Sequence, residues 1–160
     1  MSHITTRIAR AQDAPDITKM ISELAAIHND IAEITTEDLV FLCFGPAPWL
    51  TLIVAENDGV LRGYAAVQRG VQLQFARRFL DVQHLYVAQD ARRMGVGRAL
   101  MDAADSHAAL HRCVGLSLGV MAQNAEAQAF YRALGFEPRQ RSNAVKLVRA
   151  LGLQSAGAAP

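Results

Sequence analysis

The chain reads as a single α/β (α+β) domain built on a mixed central sheet, and three features of its 160 residues carry that expectation. Short apolar runs with a period of two alternate with stretches whose apolar residues recur every three or four positions. No internal repeat or linker interrupts the alternation. The hydrophobic fraction of 51% suffices for one sizeable core, and a second full domain has little room.

Alternation in "HITTRIAR" predicts a first strand, and "AQDAPDITKM" supplies Asp13 as a helix cap with Pro15 in the first turn. Ile17, Met20, Ile21, Leu24 and His28 then keep helical spacing, which makes that helix one-sided. A second short helix from Thr36 to Phe44 stops at "GPAP", whose prolines cannot continue it. "LTLIVAE" is an apolar, partly β-branched run expected as an interior strand, turned by "NDG" at Asn57 to Gly59 into the return strand "RGYAAVQRG". "QRGVQLQFARRF" is expected as a solvated connection to a further strand, "FLDVQHLYV", Phe79 to Val87.

Behind "DARRMGVGRAL" a helix presents Val96, Leu100, Ala103 and His107 on one face. "VGLSLGV" predicts another strand, and Ala127, Phe130, Tyr131 and Leu134 an amphipathic helix closed by Gly135 in a left-handed conformation. "NAVKLVRAL" predicts a last strand. The domain is therefore expected over residues 1–151, with a mobile tail at 152–160 too small and polar to pack.

Sixteen Lys and Arg against fifteen Asp and Glu leave a formal charge of +1, so no long-range field draws the chain to nucleic acid or an anionic membrane. Any anion site must be local. Cys43 and Cys113 lie in apolar surroundings, which suits free thiols and a reducing cytoplasm. No apolar run approaches the roughly 18 residues that cross a bilayer, and "MSHITTRIAR" lacks the apolar core of a secretory signal. His107 and His111 stand four apart, as metal ligands can, but no third ligand lies near in sequence and no metal is expected.

The local anion site is the arginine and glycine loop. A strand, a tight turn and a helix start leave backbone N–H groups unpaired where the helix dipole is positive. Glycines at 95 and 97 let a ligand approach that backbone, and Arg92, Arg93 and Arg98 attract phosphate oxygens. No Lys-Ser or Lys-Thr follows the glycines, so this is no nucleotide-binding loop of the Walker type. Leu100 replaces the third glycine of the dinucleotide fingerprint.

"LYVAQDARRMGVGRALM" resembles the acyl-CoA-binding segment of the GNAT superfamily of N-acetyltransferases, with its Arg or Gln, two residues, Gly, one residue, then Gly or Ala. "NAEAQAFYRALGF", Asn124 to Phe136, is similar to the later helix of that family. The likeness is strong from about Phe79 to Phe136. It implies a GNAT-like fold with a sheet of six to seven strands, splayed in the middle and flanked by about four helices. It also implies acetyl-CoA as cosubstrate, an amine of a small molecule, peptide or protein as acceptor, and direct attack in a ternary complex. By position, Leu85, Tyr86 and Val87 would meet the pantetheine arm, the amides from Arg92 through Met94, Gly95, Val96 and Gly97 to Arg98 would hold the pyrophosphate, and Asn124, Ala127 and Tyr131 would complete the cofactor site.

For chemistry the resemblance implies the N–H of Leu85 as oxyanion donor and Tyr131 as acid toward the departing thiolate. Asp81 matches the position of a catalytic glutamate or histidine in other members. A carboxylate is a weak base for an ammonium ion, so it would need a raised pKa, act through water, or simply attract a cationic acceptor. Period two puts Phe79, Asp81, Gln83, Leu85 and Val87 on one face and Leu80, Val82, His84 and Tyr86 on the other, so His84 could replace Asp81 as base only if a bulge turned it. Glu33 and Asp38 fall where members line the acceptor cleft. A non-catalytic acyl-CoA-binding or sensor module is the alternative on the same fold, and Tyr131 speaks against it. Exposed strand edges and an apolar final strand make a homodimer reasonable.

Overall fold

The computed structural model describes residues 3–139, 147 and 149–151. Its elements are β1 (Ile4–Ile8), α1 (Ala14–Ile27), α2 (Thr36–Phe44), β2 (Thr51–Asn57), β3 (Val60–Gln72), β4 (Arg77–Val87), α3 (Val96–Leu110), β5 (Leu116–Leu118) and α4 (Ala125–Ala133). The strands form one sheet in the order β1-β2-β3-β4-β5, antiparallel up to β4, with β5 parallel to it. The expectation of a mixed sheet with four helices holds. The strand number is corrected, from six or seven to five among the described residues. "NAVKLVRAL" and the tail at 152–160 fall largely or wholly outside those residues.

Two local expectations change. Asp13 does not cap α1 through its side chain; its carboxylate is taken by the Arg7 guanidinium at 2.7 and 3.1 Å and by the Arg10 amide at 2.7 Å. The Arg7 hydrogen bonds hold Asp13 below the usual carboxylate range despite its burial. "QRGVQLQFARRF" is largely exposed, as a solvated connection should be, but it is mostly strand, because β3 and β4 pair out to Gln72 and Arg77 and turn through a short 3₁₀ segment at Leu73–Phe75. Beyond α1, Thr35 and Asp38 cap α2 reciprocally, Thr35 Oγ1 accepting from the Asp38 amide and Asp38 Oδ2 from the Thr35 amide. Asp38 is thus a capping carboxylate.

The sheet is apolar on both faces, and each face has its own core. Leu52, Val54, Tyr64, Ala66 and Tyr86 point to α1 and α2, where Ile17, Met20 and Leu39 close over them. Ile53, Ala55, Ala65, Val67, Leu80 and Val82 point the other way, against Leu100, Met101 and Ala104 of α3. Each fully buried Leu, Met or Ile contributes about 1.5–3 kcal/mol by leaving water. The α4 helix joins the second core through Phe130, Tyr131 and Leu134.

One irregularity sets which residues of β4 face which side. Val67 stands opposite Val82 and Ala66 opposite His84, so Gln83 is an extra residue in β4. Before this bulge the even-numbered Leu80 and Val82 face α3; after it the even-numbered Tyr86 faces α1, and Leu85 and Val87 face α3. The period-two assignment across Phe79 to Val87 is therefore corrected. Its two halves are out of phase, and His84 joins Asp81 on the α1 face.

Candidate active site

Pairing between β4 and β5 covers only Leu80 to Val82 against Leu116 to Leu118, while β4 runs on to Val87. The sheet therefore opens beyond Val82. Leu80 donates its amide to Gly115 and so turns its backbone toward the β5 side, whereas Ala88 donates to Arg62 and turns toward β3. Counting back by two from Ala88, the backbones of Leu85 and Val87 face the opening and those of His84 and Tyr86 face β3. Without the bulge, Leu85 would have spent its amide on β3. No described strand covers that edge.

Tyr86 departs from the pattern that sequence implied for it. Its backbone pairs with Tyr64, and its phenol is sent to the α1 face, where it donates to Glu23 Oε2. Burial, with Glu23 next in weight, pushes that phenol up to about 12. The opening is therefore lined by Leu85 and Val87, and Tyr86 serves the other face.

At the far end of β4 a 3₁₀ turn at Gln89–Ala91 leads into the loop. Arg93 (φ 62°) and Gly95 (φ 85°) both take left-handed backbone, and α3 starts at Val96. Such a conformation costs a non-glycine residue of order 1–2 kcal/mol, so Arg93 is held under strain. The first helical bond runs from Ala99 N to Gly95 O. Gly95 has no side chain with which to cap, and the first turn carries no acidic residue. The amides of Val96, Gly97 and Arg98 thus point out of the helix start without a carboxylate to neutralise them. Arg92 folds back over the opening, its Nε 3.4 Å from the Val87 carbonyl.

Gly97 has a different reason from Gly95. A Cβ there would come within 3.2 Å of the Phe130 ring and 3.7 Å of Val87, so its bareness lets α3, α4 and β4 close together. A Cβ on Gly95 would meet nothing; the positive φ alone demands glycine.

Along α4, Asn124 caps the helix by accepting the Ala127 amide at 3.0 Å. Its Oδ1 is committed, and its amide NH₂ remains as a donor. Tyr131 stands half-buried between Phe130 and Phe136, with ring centroids at 5.1 and 5.6 Å, and burial raises its pKa. A phenol so shifted gives up its proton less readily and is better suited to stabilising charge by hydrogen bonding.

Asp81 lies one residue before β4 and β5 cease to pair, half-buried and facing Ser117. Ser117 Oγ donates to its Oδ1 at 2.7 Å, which fixes one oxygen and leaves the other. Farther along the same face Gln83 bonds Gln68, and the Nδ1 of His84 lies 3.0 Å from the Tyr64 hydroxyl. His84 keeps an exposed edge, but desolvation of the side of the ring held against Tyr64 lowers its pKa, with His28 adding to the effect. Ser117, Tyr64 and Glu23 escaped the sequence reading, because each meets its partner only through strand register or helix docking, which no local pattern encodes.

Among the described residues no cluster of three metal-ligating side chains occurs, and no helix is long and apolar enough to cross a membrane. Residues 18–136 match the family model described as "Acetyltransferase (GNAT) family". A human spermidine/spermine N(1)-acetyltransferase-like protein 1 is 25% identical over 143 residues, 84% of this chain and 21% of that protein. A 5-NmdU N-acetyltransferase of Pseudomonas phage PaMx11 is 34% identical over 83 residues, 52% of this chain and 54% of that protein. The chain thus spans about a fifth and about half the length of these two relatives. Among solved structures, an aminoglycoside acetyltransferase from an uncultured soil metagenomic sample, in complex with sisomicin, superposes with a TM-score of 0.73 at 16% identity, covering 92% of this chain and 96% of that one. A transcriptional regulator from Bacillus halodurans C-125 gives 0.75 at 21% identity, covering 91% of this chain and 100% of that one. At such identities these structures speak for the fold alone. The family match spans most of the chain, including the opened strand and the uncapped helix start, and the chain belongs to the GNAT acetyltransferase family.

Proposed function

We propose that this chain transfers the acetyl group of acetyl-CoA to a primary amine by direct attack in a ternary complex. The observation that carries the reading is the opening beside β4, which runs from the backbones of Leu85 and Val87 to the uncapped amides of α3. An extended amide-containing arm ending in a diphosphate matches both ends of that groove. When bound, acetyl-CoA supplies the activated thioester.

The residues divide the work. The amides of Val96 to Arg98, with the Arg92, Arg93 and Arg98 guanidiniums, hold the diphosphate; Gly95 and Met94 shape the turn. Val87 pairs with the pantetheine arm, Asn124 donates to it through its free NH₂, and Ala127 leaves it room. The Leu85 N–H hydrogen-bonds the carbonyl oxygen as it gains charge. Asp81, through its uncommitted oxygen, attracts the ammonium form of the acceptor and passes one proton to water. The amine nitrogen then bonds to the acyl carbon as the carbon–sulfur bond breaks. Tyr131 hydrogen-bonds the leaving sulfur, which takes the second nitrogen proton.

The acceptor is proposed as an amine of a small molecule, peptide or protein. The polyamine and aminoglycoside in the relatives' names support a cationic small molecule as the first to try. Free Cys43 and Cys113 support a reducing, cytoplasmic setting. Acetyl-CoA titration by calorimetry, followed by thiol release with a panel of polyamines, aminoglycosides and peptides, tests the reading. Saturable binding with release for at least one amine is expected. Binding without release from any acceptor would favour a sensor module, and absence of binding would refute the cofactor assignment.

A further inference from the structure

The bulge at Gln83 brings His84 onto the acceptor face beside Asp81, where a histidine invites assignment as the general base. Its hydrogen bond says otherwise. Tyr64 is completely buried, 0% exposed, and the partner of its hydroxyl is His84 Nδ1 at 3.0 Å. A phenol that accepted from Nδ1–H would leave its own proton buried without an acceptor, since among the described residues the Tyr64 hydroxyl has no other hydrogen-bond partner. The satisfied arrangement has Tyr64 donating to Nδ1. A neutral imidazole then carries its single proton on Nε2, the opposite edge of a residue that is itself exposed.

We propose that His84 is a fixed hydrogen-bond donor to the acceptor and not a base: Tyr64 locks the ring as the Nε2–H tautomer, and that N–H binds an oxygen adjoining the acceptor amine. His84 and Tyr64 are thereby specificity-determining and positioning residues, respectively. The ligand class is an amine with a nearby hydroxyl, ether or carbonyl oxygen. Protonation of the ring would strand the Tyr64 proton, so the imidazolium is disfavoured. Of the other groups on this face, the Asp81 and Glu23 carboxylates, each with one oxygen engaged by Ser117 or Tyr86, favour a positive ring; Gln83 is bonded to Gln68, and His28 at the end of α1 lowers the His84 pKa.

The selectivity claim rests on the acetyl-transfer reading, whereas the tautomer does not, and the experiment separates them. Nitrogen-15 NMR of the His84 ring in the full chain is expected to show Nε2–H from pH 6 to 8, with a mixture of tautomers in Tyr64→Phe. A predominant Nδ1–H form in the unmutated protein would overturn the proposal whether or not any amine is acetylated. Kinetically, the ratio of kcat/KM for 2-aminoethanol over propylamine should fall about 3- to 10-fold in His84→Leu and recover in His84→Gln, which restores a donor. A base would instead lose kcat on both amines alike, with no rescue by glutamine.

Discussion

The two sides of β4 are built from the same eleven residues by opposite means. Toward β5 and α3 the site is backbone: amides left over where strands part and a helix begins, with glycine at the turn. Toward α1 it is side chains held by other side chains, namely Asp81 by Ser117, His84 by Tyr64 and Tyr86 by Glu23. A backbone site recognises what every donor of one class shares. A side-chain site can be changed one residue at a time, and so suits selection among ligands. The bulge at Gln83 serves both, since it exposes the Leu85 amide on one side and delivers His84 on the other.

The backbone side should break most severely under bulk at Gly97. Gly97→Leu drives a side chain into the Phe130 ring, which a bare Cβ would already approach to 3.2 Å. Displacing α4 by about 1 Å moves Tyr131 with it, and kcat/KM should fall about 100-fold, with acetyl-CoA affinity weakened in calorimetry. Gly95→Ala separates conformation from space. Nothing obstructs its methyl group, so the loss should be limited to about 1 kcal/mol of strain at φ 85°, read as a lowered Tm and a several-fold weaker affinity. Equal effects of the two substitutions would mean that Phe130 yields and that Gly97 is bare for the ligand's sake.

A smaller effect is expected from Tyr131→Phe. The aromatic contacts with Phe130 and Phe136 survive, so acetyl-CoA affinity should be little changed while kcat falls about 10- to 100-fold through loss of one hydrogen bond to a charged sulfur. Because burial raises the Tyr131 pKa, the basic limb of the rate profile should not report on it near its ordinary value. A limb near pH 10 that vanishes in Tyr131→Phe would show that the phenol is not shielded as its packing indicates.

This asymmetry also explains how much of the molecule was legible in its sequence. The α3 side could be read from contiguous residues, because a tight turn into a helix needs its glycine in line; Gly95 takes a positive φ and α3 starts at Val96, as the spacing implied. Gly135, with φ 90°, ends α4 as its position implied. The α1 side could not be read, since Glu23 meets Tyr86 across 63 residues and Ser117 meets Asp81 across 36. The bulge left no mark either. "DVQHLY" keeps a plausible alternation in either phase, and only pairing with β3 decides where the extra residue goes. Asp13 shows the same blindness, being drawn from its helix to Arg7 of β1.

The smallest expected effect lies in the pH dependence of stability, and it sets one histidine from each side against the other. His84 on the α1 side and His107 on α3 both have lowered pKa values, each chiefly through burial. For such a group the stability contribution is complete above the unfolded value of about 6.5. As pH falls through 6.5 toward the folded value, the unfolded chain takes up a proton that the folded protein resists, and unfolding free energy declines. The Asp13 carboxylate, lowered by Arg7, acts only in a separate window below the ordinary carboxylate value of 3.8. Urea unfolding at pH 7.5 and 5.0 should therefore show a drop that shrinks in both His84→Gln and His107→Gln. Tyr64→Phe should shrink only the His84 share, because His84 without the phenol can rehydrate and titrate nearer its free value. If Tyr64→Phe leaves the drop as large as in the unmutated chain, the ring is kept neutral by desolvation and His28 without the phenol, and the difference between the two sides of β4 narrows to geometry.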